Sequence, residues 1–225
     1  MKLILALSLA LLLEPGQAQT TMPSAHDPDV PPAAAWLKGL PPDVQEKLAE
    51  LRGQSDALPR PKVLDAATLH GIADKDLVFA ISWYVGERMR TSGLSREEVL
   101  RQEPVATRDF YLTTLLEAEV LNGGFNQYFW NVPHDLVLQT AAALGHIGAK
   151  SASEVFEVAL LRGSEEAGMR RKFKAVGTIQ AFSESYRHSQ LQPLDDRFAA
   201  VTEDLAARRI AFLRANETAF LKTPR

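Results

Sequence analysis

From Ala73 to the C-terminus, apolar residues recur every three or four positions, and no stretch shows a convincing strand alternation. In "ADKDLVFAISWYVGERMRTSG", Leu77, Val78, Ile81, Tyr84, Val85 and Met89 share one helical face, and Gly93 supplies a left-handed stop. Ser95 and Glu98 have the spacing of a capping box, with Leu94 and Val99 placed for a hydrophobic staple, and Pro104 ends the short helix that follows. The next helix is expected from about Thr107 to Leu121, with Tyr111, Leu112, Leu115, Leu116 and Val120 inward, until Asn122-Gly123-Gly124 turns the chain. Pro133 opens another, to about Leu144. In "KSASEVFEVALLRG", Ser151 and Glu154 predict a second capping box and Gly163 a stop. Residues 164–192 are less regular, and the longest helix is expected over 194–221. The expectation is an all-α, multi-helix bundle of six or more helices, residues 73–225.

The N-terminal part is patterned differently. Lys2 precedes an apolar run from Leu3 to Leu13, too short to span a bilayer, and Gly16 and Ala18 lie at the positions of a signal-peptidase cut. A cleavable signal peptide over residues 1–18, a cut after Ala18 and a mature chain beginning at Gln19 in the periplasm or outside the cell are expected, with no stable membrane insertion afterwards. Eight of the 13 prolines fall between residues 19 and 62. Residues 19–72 therefore read as an extended leader with one short helix, about Asp43 to Arg52, stopped by Gly53. A spacer is the expected role, and a docking segment around Trp36 and Leu37 is the alternative.

Charge and chemistry narrow the function. The chain of 225 residues carries 25 basic and 28 acidic residues, net −3, a balance that predicts no general nucleic-acid binding. It has no cysteine, which excludes structural disulfides, thiol nucleophiles and cysteine metal sites. The histidines at 26, 70, 134, 146 and 188 form no metal-ligand pair, and no serine-hydrolase elbow or phosphate-cradling glycine loop occurs, so no metal, cofactor or catalytic residue is assigned. The basic run Arg170 to Lys174 could meet phosphates or anionic headgroups, but Glu165 and Glu166 precede it at spacings that pair with it on a helix.

One segment concentrates polar chemistry: "EVLNGGFNQYFWN", residues 119–131, holds four side-chain amides and four aromatic rings. Gly123 and Gly124 need no function beyond permitting the turn, and Phe125, Phe129 and Trp130 can pack back on the bundle. Asn126, Gln127 and Asn131 would be costly if buried without partners, so they are exposed or bonded to the loop. An amide network pinning the turn is one reading. The other is a pocket for a sugar or nucleobase using Glu119, Asn122, Asn126, Gln127, Tyr128 and Trp130, with acid chemistry open to Glu119 if a second carboxylate such as Asp135 faced it.

"EAEVLNGGFNQYFWN", then "AAALGHIGAK" and a helix rich in Glu, Val and Ala, resembles the C-terminal domain of the bacterial DNA-mimic protein family over about Asp76 to Gln190, with Asn122 to Tyr128 as the most specific part. The resemblance implies an all-helical fold, a homodimer, and an acidic surface that imitates duplex DNA and occupies a DNA-binding protein. Residues 74–225 hold 20 acidic and 19 basic residues, which is no phosphate-like field. The reading is therefore an exported, non-enzymatic domain that binds a protein partner, with no nucleic acid, and with a small-ligand or glycan-binding protein or hydrolase as the alternative.

Overall fold

The computed structural model describes residues 41–221, and among these every regular element is helical. The expected signal peptide, its cut after Ala18, and the segment around Trp36 and Leu37 lie outside the described residues. The helices are α1 (Pro42–Asp56), α2 (Ala66–Gly71), α3 (Asp74–Ser92), α4 (Arg96–Arg101), α5 (Val105–Asn131), α6 (His134–His146), α7 (Lys150–Glu165), α8 (Ala167–Val176), α9 (Ile179–Arg187), α10 (Gln192–Ala199), α11 (Thr202–Ala215) and a 3-10 turn (Glu217–Phe220). The all-α bundle of the sequence reading is the observed architecture.

Several local signals act as their chemistry requires. Gly93 ends α3 with φ 68°, a left-handed position, and its N–H donates to the Met89 carbonyl. At α4 both capping-box bonds form, Glu98 N–H to Ser95 Oγ at 3.3 Å and Ser95 N–H to Glu98 Oε2 at 2.9 Å. Asp65 caps α2 by accepting from the Thr68 N–H at 2.7 Å.

Elsewhere, packing overrides local grammar. α1 continues through Gly53 to Asp56. Leu64, Leu69 and Ile72, on the leader side of residue 73, are buried in the core. α7 starts at Lys150 on an Ala149 N-cap, so Ser151 and Glu154 form no capping box. Gly163 does not stop α7, which runs to Glu165; it is buried there because the Phe129 ring lies against it, and a Cβ at this position would come within 2.6 Å of that ring. The helix expected over 194–221 is divided into α10, α11 and the 3-10 turn, and residues 164–192 form the helical pair α8 and α9. The longest element is instead α5, whose span crosses the expected turn.

α5 is the axis of the core and touches α3, α6, α7, α10, α11 and the 3-10 turn. Phe110, Leu112, Leu115 and Leu116 are fully buried along it. α11 is fastened to α5 by a charge. Arg209 has no exposed surface; it pairs with Glu117, donates to Thr114 Oγ1 at 2.7 Å, and lies over the Phe110 ring at 5.8 Å. Arg214, one turn further on, reaches Asp74 and the Leu69 carbonyl at 2.7 Å each, which ties α11 to α2 and α3.

Breaking such a buried pair from one side strands a charge in the core, which costs about 3–5 kcal/mol. Arg209→Met should therefore lower stability by about that amount, and adding Glu117→Leu should recover most of the loss because no charge is then left without its partner. Urea midpoints of the two variants and wild type measure this.

Candidate functional site

Within α5 the helical backbone fails at two residues. Gly123 has φ −153° and ψ 31°, and Gly124 has φ 70° and ψ −179°, a conformation essentially confined to glycine. Asn122 is still helical, and no residue other than glycine has positive φ among the described residues. The two glycines thus break one helix into two segments joined by a kink. A break leaves carbonyls of the first segment and N–H groups of the second without intrahelical partners.

Distant parts of the chain supply those partners. Asp195, in the first turn of α10, accepts from the Phe125 N–H through Oδ1 at 2.8 Å and so caps the second segment from another helix. Its negative charge also lies at the positive end of that segment. Tyr186, on α9, donates its hydroxyl proton to the Gly123 carbonyl at 2.6 Å. Across the break, Glu119 Oε2 accepts from Gln127 Nε2 at 2.8 Å and Asn131 Nδ2 at 2.9 Å. One carboxylate oxygen therefore holds two amides of the second segment to the end of the first.

The aromatic residues divide by environment. Phe125 and Tyr128 are fully buried. Phe125 meets Phe198 edge-on at 5.4 Å, and Tyr128 donates to Thr140 Oγ1 at 2.9 Å while packing on Phe156. Trp130 is half-buried, edge-on to Phe182 of α9 at 5.0 Å. Asn126 is buried and donates to Ser185 Oγ at 2.8 Å, while its Oδ1 has no partner. Asn122 is exposed and stands apart from the group.

The structure thus brings together Glu119, Asn126, Gln127 and Trp130 of the candidate residues, and seats the Tyr128 ring in the core. The carboxylate that joins Glu119 at the break is Asp195, whereas Asp135 is exposed in the first turn of α6. Asp195, Ser185 and Tyr186 were not legible as site residues, since they lie about 60 to 70 positions away with no motif of their own. Burial raises the Asp195 carboxyl above its usual range, offset in part by the Phe125 N–H. Burial, with Asp195 and Glu119 nearby, pushes the Tyr186 phenol up to about 12, so at neutral pH it remains a proton donor to Gly123.

His146, the last residue of α6, lies 2.7 Å from the buried Asp109 through Nδ1. Among the described residues no group of three acidic or histidine side chains is placed to hold a metal ion, and no helix is long and apolar enough to cross a membrane.

A family model described as DMP19-like protein matches residues 101–216, more than half of the chain and including the whole of α5 and its partners on α9 and α10. No curated protein and no solved structure matches the chain.

Two outcomes follow from this geometry. A Cβ on Gly124 would lie within 2.7 Å of the Asp195 Cγ besides demanding a disfavoured backbone, so Gly124→Ala should cost about 2–4 kcal/mol. At Gly123 a Cβ meets the Tyr186 hydroxyl and the end of the Gln127 side chain, which can swing away, so Gly123→Ala should cost less, about 1–2 kcal/mol. Thermal melts that rank the two variants the other way would contradict this account.

Asp195→Asn keeps an acceptor for the Phe125 N–H but removes the charge. Because Asp195 titrates higher folded than unfolded, the native state holds its proton more tightly. The stability of wild type relative to this asparagine variant should be greatest below the ordinary aspartate value of 3.8 and decline as pH rises through the folded value of Asp195. Urea unfolding of both proteins from pH 3 to 7 reads the slope.

Proposed function

The chain belongs to the DMP19-like protein family, the DNA-mimic family, and from that premise we propose that it acts by binding another protein rather than by catalysis. The observation that carries this reading is the internal use of the polar cluster. Glu119 holds two amides and Asp195 holds a backbone N–H, so both carboxylates at the break act as structural acceptors. Tyr186 is likewise spent on a backbone carbonyl. The segment that looks most like a ligand site is a joint inside the bundle, and binding falls to the outer helix faces.

Imitation of duplex DNA needs carboxylates in rows at something like phosphate density. Here acids at or near the surface pair with bases on the same helix: Glu87 with Arg90, Glu165 with Arg162, Glu184 with Arg187 and Asp204 with Arg208. Glu166, the nearest neighbour in sequence for an acidic patch with Glu154, Glu157 and Glu165, is turned inward onto Ser189 Oγ at 2.8 Å and the Gln190 N–H at 2.7 Å. The partner we propose is an envelope protein engaged mainly through apolar and amide contacts, by a chain exported and cut after Ala18.

Two measurements test the proposal. N-terminal mass analysis of the native product should find Gln19 first; intact Met1 on cytoplasmic protein would overturn export. A partner captured from envelope extract by the purified chain should keep its affinity within about threefold between about 50 and 200 mM salt, whereas a surface replacing many phosphate contacts would lose about 10³-fold or more. Capture of a DNA-binding protein, released over that range and competed by duplex DNA, would overturn the reading in favour of mimicry.

A further inference from the structure

The hairpin formed by α8 and α9 differs from the rest of the molecule. Its helices pack chiefly on each other, and it is pinned to the joint by side chains: Trp130 against Phe182, Asn126 to Ser185, Tyr186 to Gly123, and Lys174 Nζ to the Trp130 carbonyl at 2.5 Å. Beyond those pins the hairpin ends in a tip, residues 175–180, in which every residue is exposed. Gly177, with φ 70°, makes the turn. On either side of it stand Val176 and Ile179, 62% and 60% exposed, among the most exposed large aliphatics of the described chain.

The charge around this tip is of one sign. Residues 167–183 contain four basic residues and no acidic one. Arg170 is consumed internally: it is buried, bonded to the Gly163 carbonyl, paired with Glu166 and laid over the Phe129 ring at 5.2 Å. Lys174 is held by Trp130. Arg171 and Lys172 are exposed, and Glu165, which the sequence spacing offered to this run, is paired with Arg162 instead. The next acid, Glu184, is neutralised by Arg187 at 2.9 Å, with His188 at 3.6 Å. Lys172 sits one helical turn, about 6 Å of rise, before Val176, and so lies within a Debye length of any surface the tip touches.

We propose that the tip of the α8–α9 hairpin docks on an anionic lipid bilayer, with Val176 and Ile179 entering the headgroup boundary and Arg171 and Lys172 meeting lipid phosphates. Exposed branched aliphatics on a tight turn, flanked by exposed cations, complement a surface that is negative outside and apolar beneath. A nucleic acid or an acidic protein would use the cations and leave the aliphatics in water. Docking of this kind is peripheral and reversible, since two side chains and two charges do not anchor a chain. It is independent of the protein-binding reading above and would hold the domain at a membrane face while the other helices stay free.

Flotation of the full chain with vesicles tests it. With phosphatidylcholine carrying about 30% phosphatidylglycerol, the chain should float at least about fivefold more than with phosphatidylcholine alone, each cation at such a surface contributing about fivefold. Val176→Ser with Ile179→Ser, and separately Arg171→Gln with Lys172→Gln, should each lower that partition about fivefold or more, and Leu161→Ser, at another exposed aliphatic, should not. Residues 3–13 are common to all variants, so only differences between variants are read. Because the chain has no cysteine, an environment-sensitive dye on Ala175→Cys reports the tip alone in an otherwise unchanged hairpin, and its emission should shift to the blue only with anionic vesicles. Unchanged flotation of the Val176/Ile179 variant, a dye that stays in water, or loss only on removing the cations would overturn the proposal, the last pointing to a soluble polyanion.

Discussion

The rest of the bundle depends on how the break in α5 is closed. A helix interrupted in mid-span leaves peptide groups without intrahelical partners, and where they are partly shielded from water, as at this half-buried break, leaving them unpaired is costly. Gly123 and Gly124 make the interruption sterically possible, but they satisfy none of those groups. Asp195 and Tyr186 do, by capping one segment and donating to the other's carbonyl. α9 and α10 must therefore return to the middle of α5, and that requirement fixes the course of the chain from residue 179 to 199. Glu119 then locks the angle between the two segments by holding Gln127 and Asn131.

A second polar anchor, lower on the same axis, fixes the C-terminal helix. Arg209 and Glu117 lie in surroundings where a lone charge is intolerable, so the pair tolerates few alternative placements of α11. Glu117 and Glu119 are two residues apart on α5 and therefore point to different helix faces. One faces α11 and the other faces the joint. Two neighbouring carboxylates thus organise two separate contacts, and neither is left for chemistry at the surface.

This use of charge bears on the mode of binding proposed for the chain. Imitation of DNA depends on unpaired carboxylates facing water, and several of the acids here are invested inward at Glu117, Glu119, Glu166 and Asp195 or paired along their own helices. The distinctive exposed chemistry that remains is local: a basic, aliphatic hairpin tip that owes its position to the same joint, since Asn126, Trp130 and Gly123 hold α9 in place.

Sequence by itself determined whatever a few adjacent residues decide. The all-helical architecture follows from the periodicity; the stop at Gly93 and the box at Ser95 and Glu98 follow from backbone preference and one-turn hydrogen bonds. The interruption at Gly123 and Gly124 was readable for the same reason, as was the need of its amides for partners. The partners themselves were not readable, because Asp195 and Tyr186 reach the break across about 60 to 70 residues and nothing near them in sequence marks the role. Gly163 shows the limit from the other side: locally a helix stop, it is a notch for the Phe129 ring once α7 packs on α5. Tertiary structure decided these because the free energy of a buried donor, charge or ring depends on what the fold brings to it, and that is fixed only when every helix is in place.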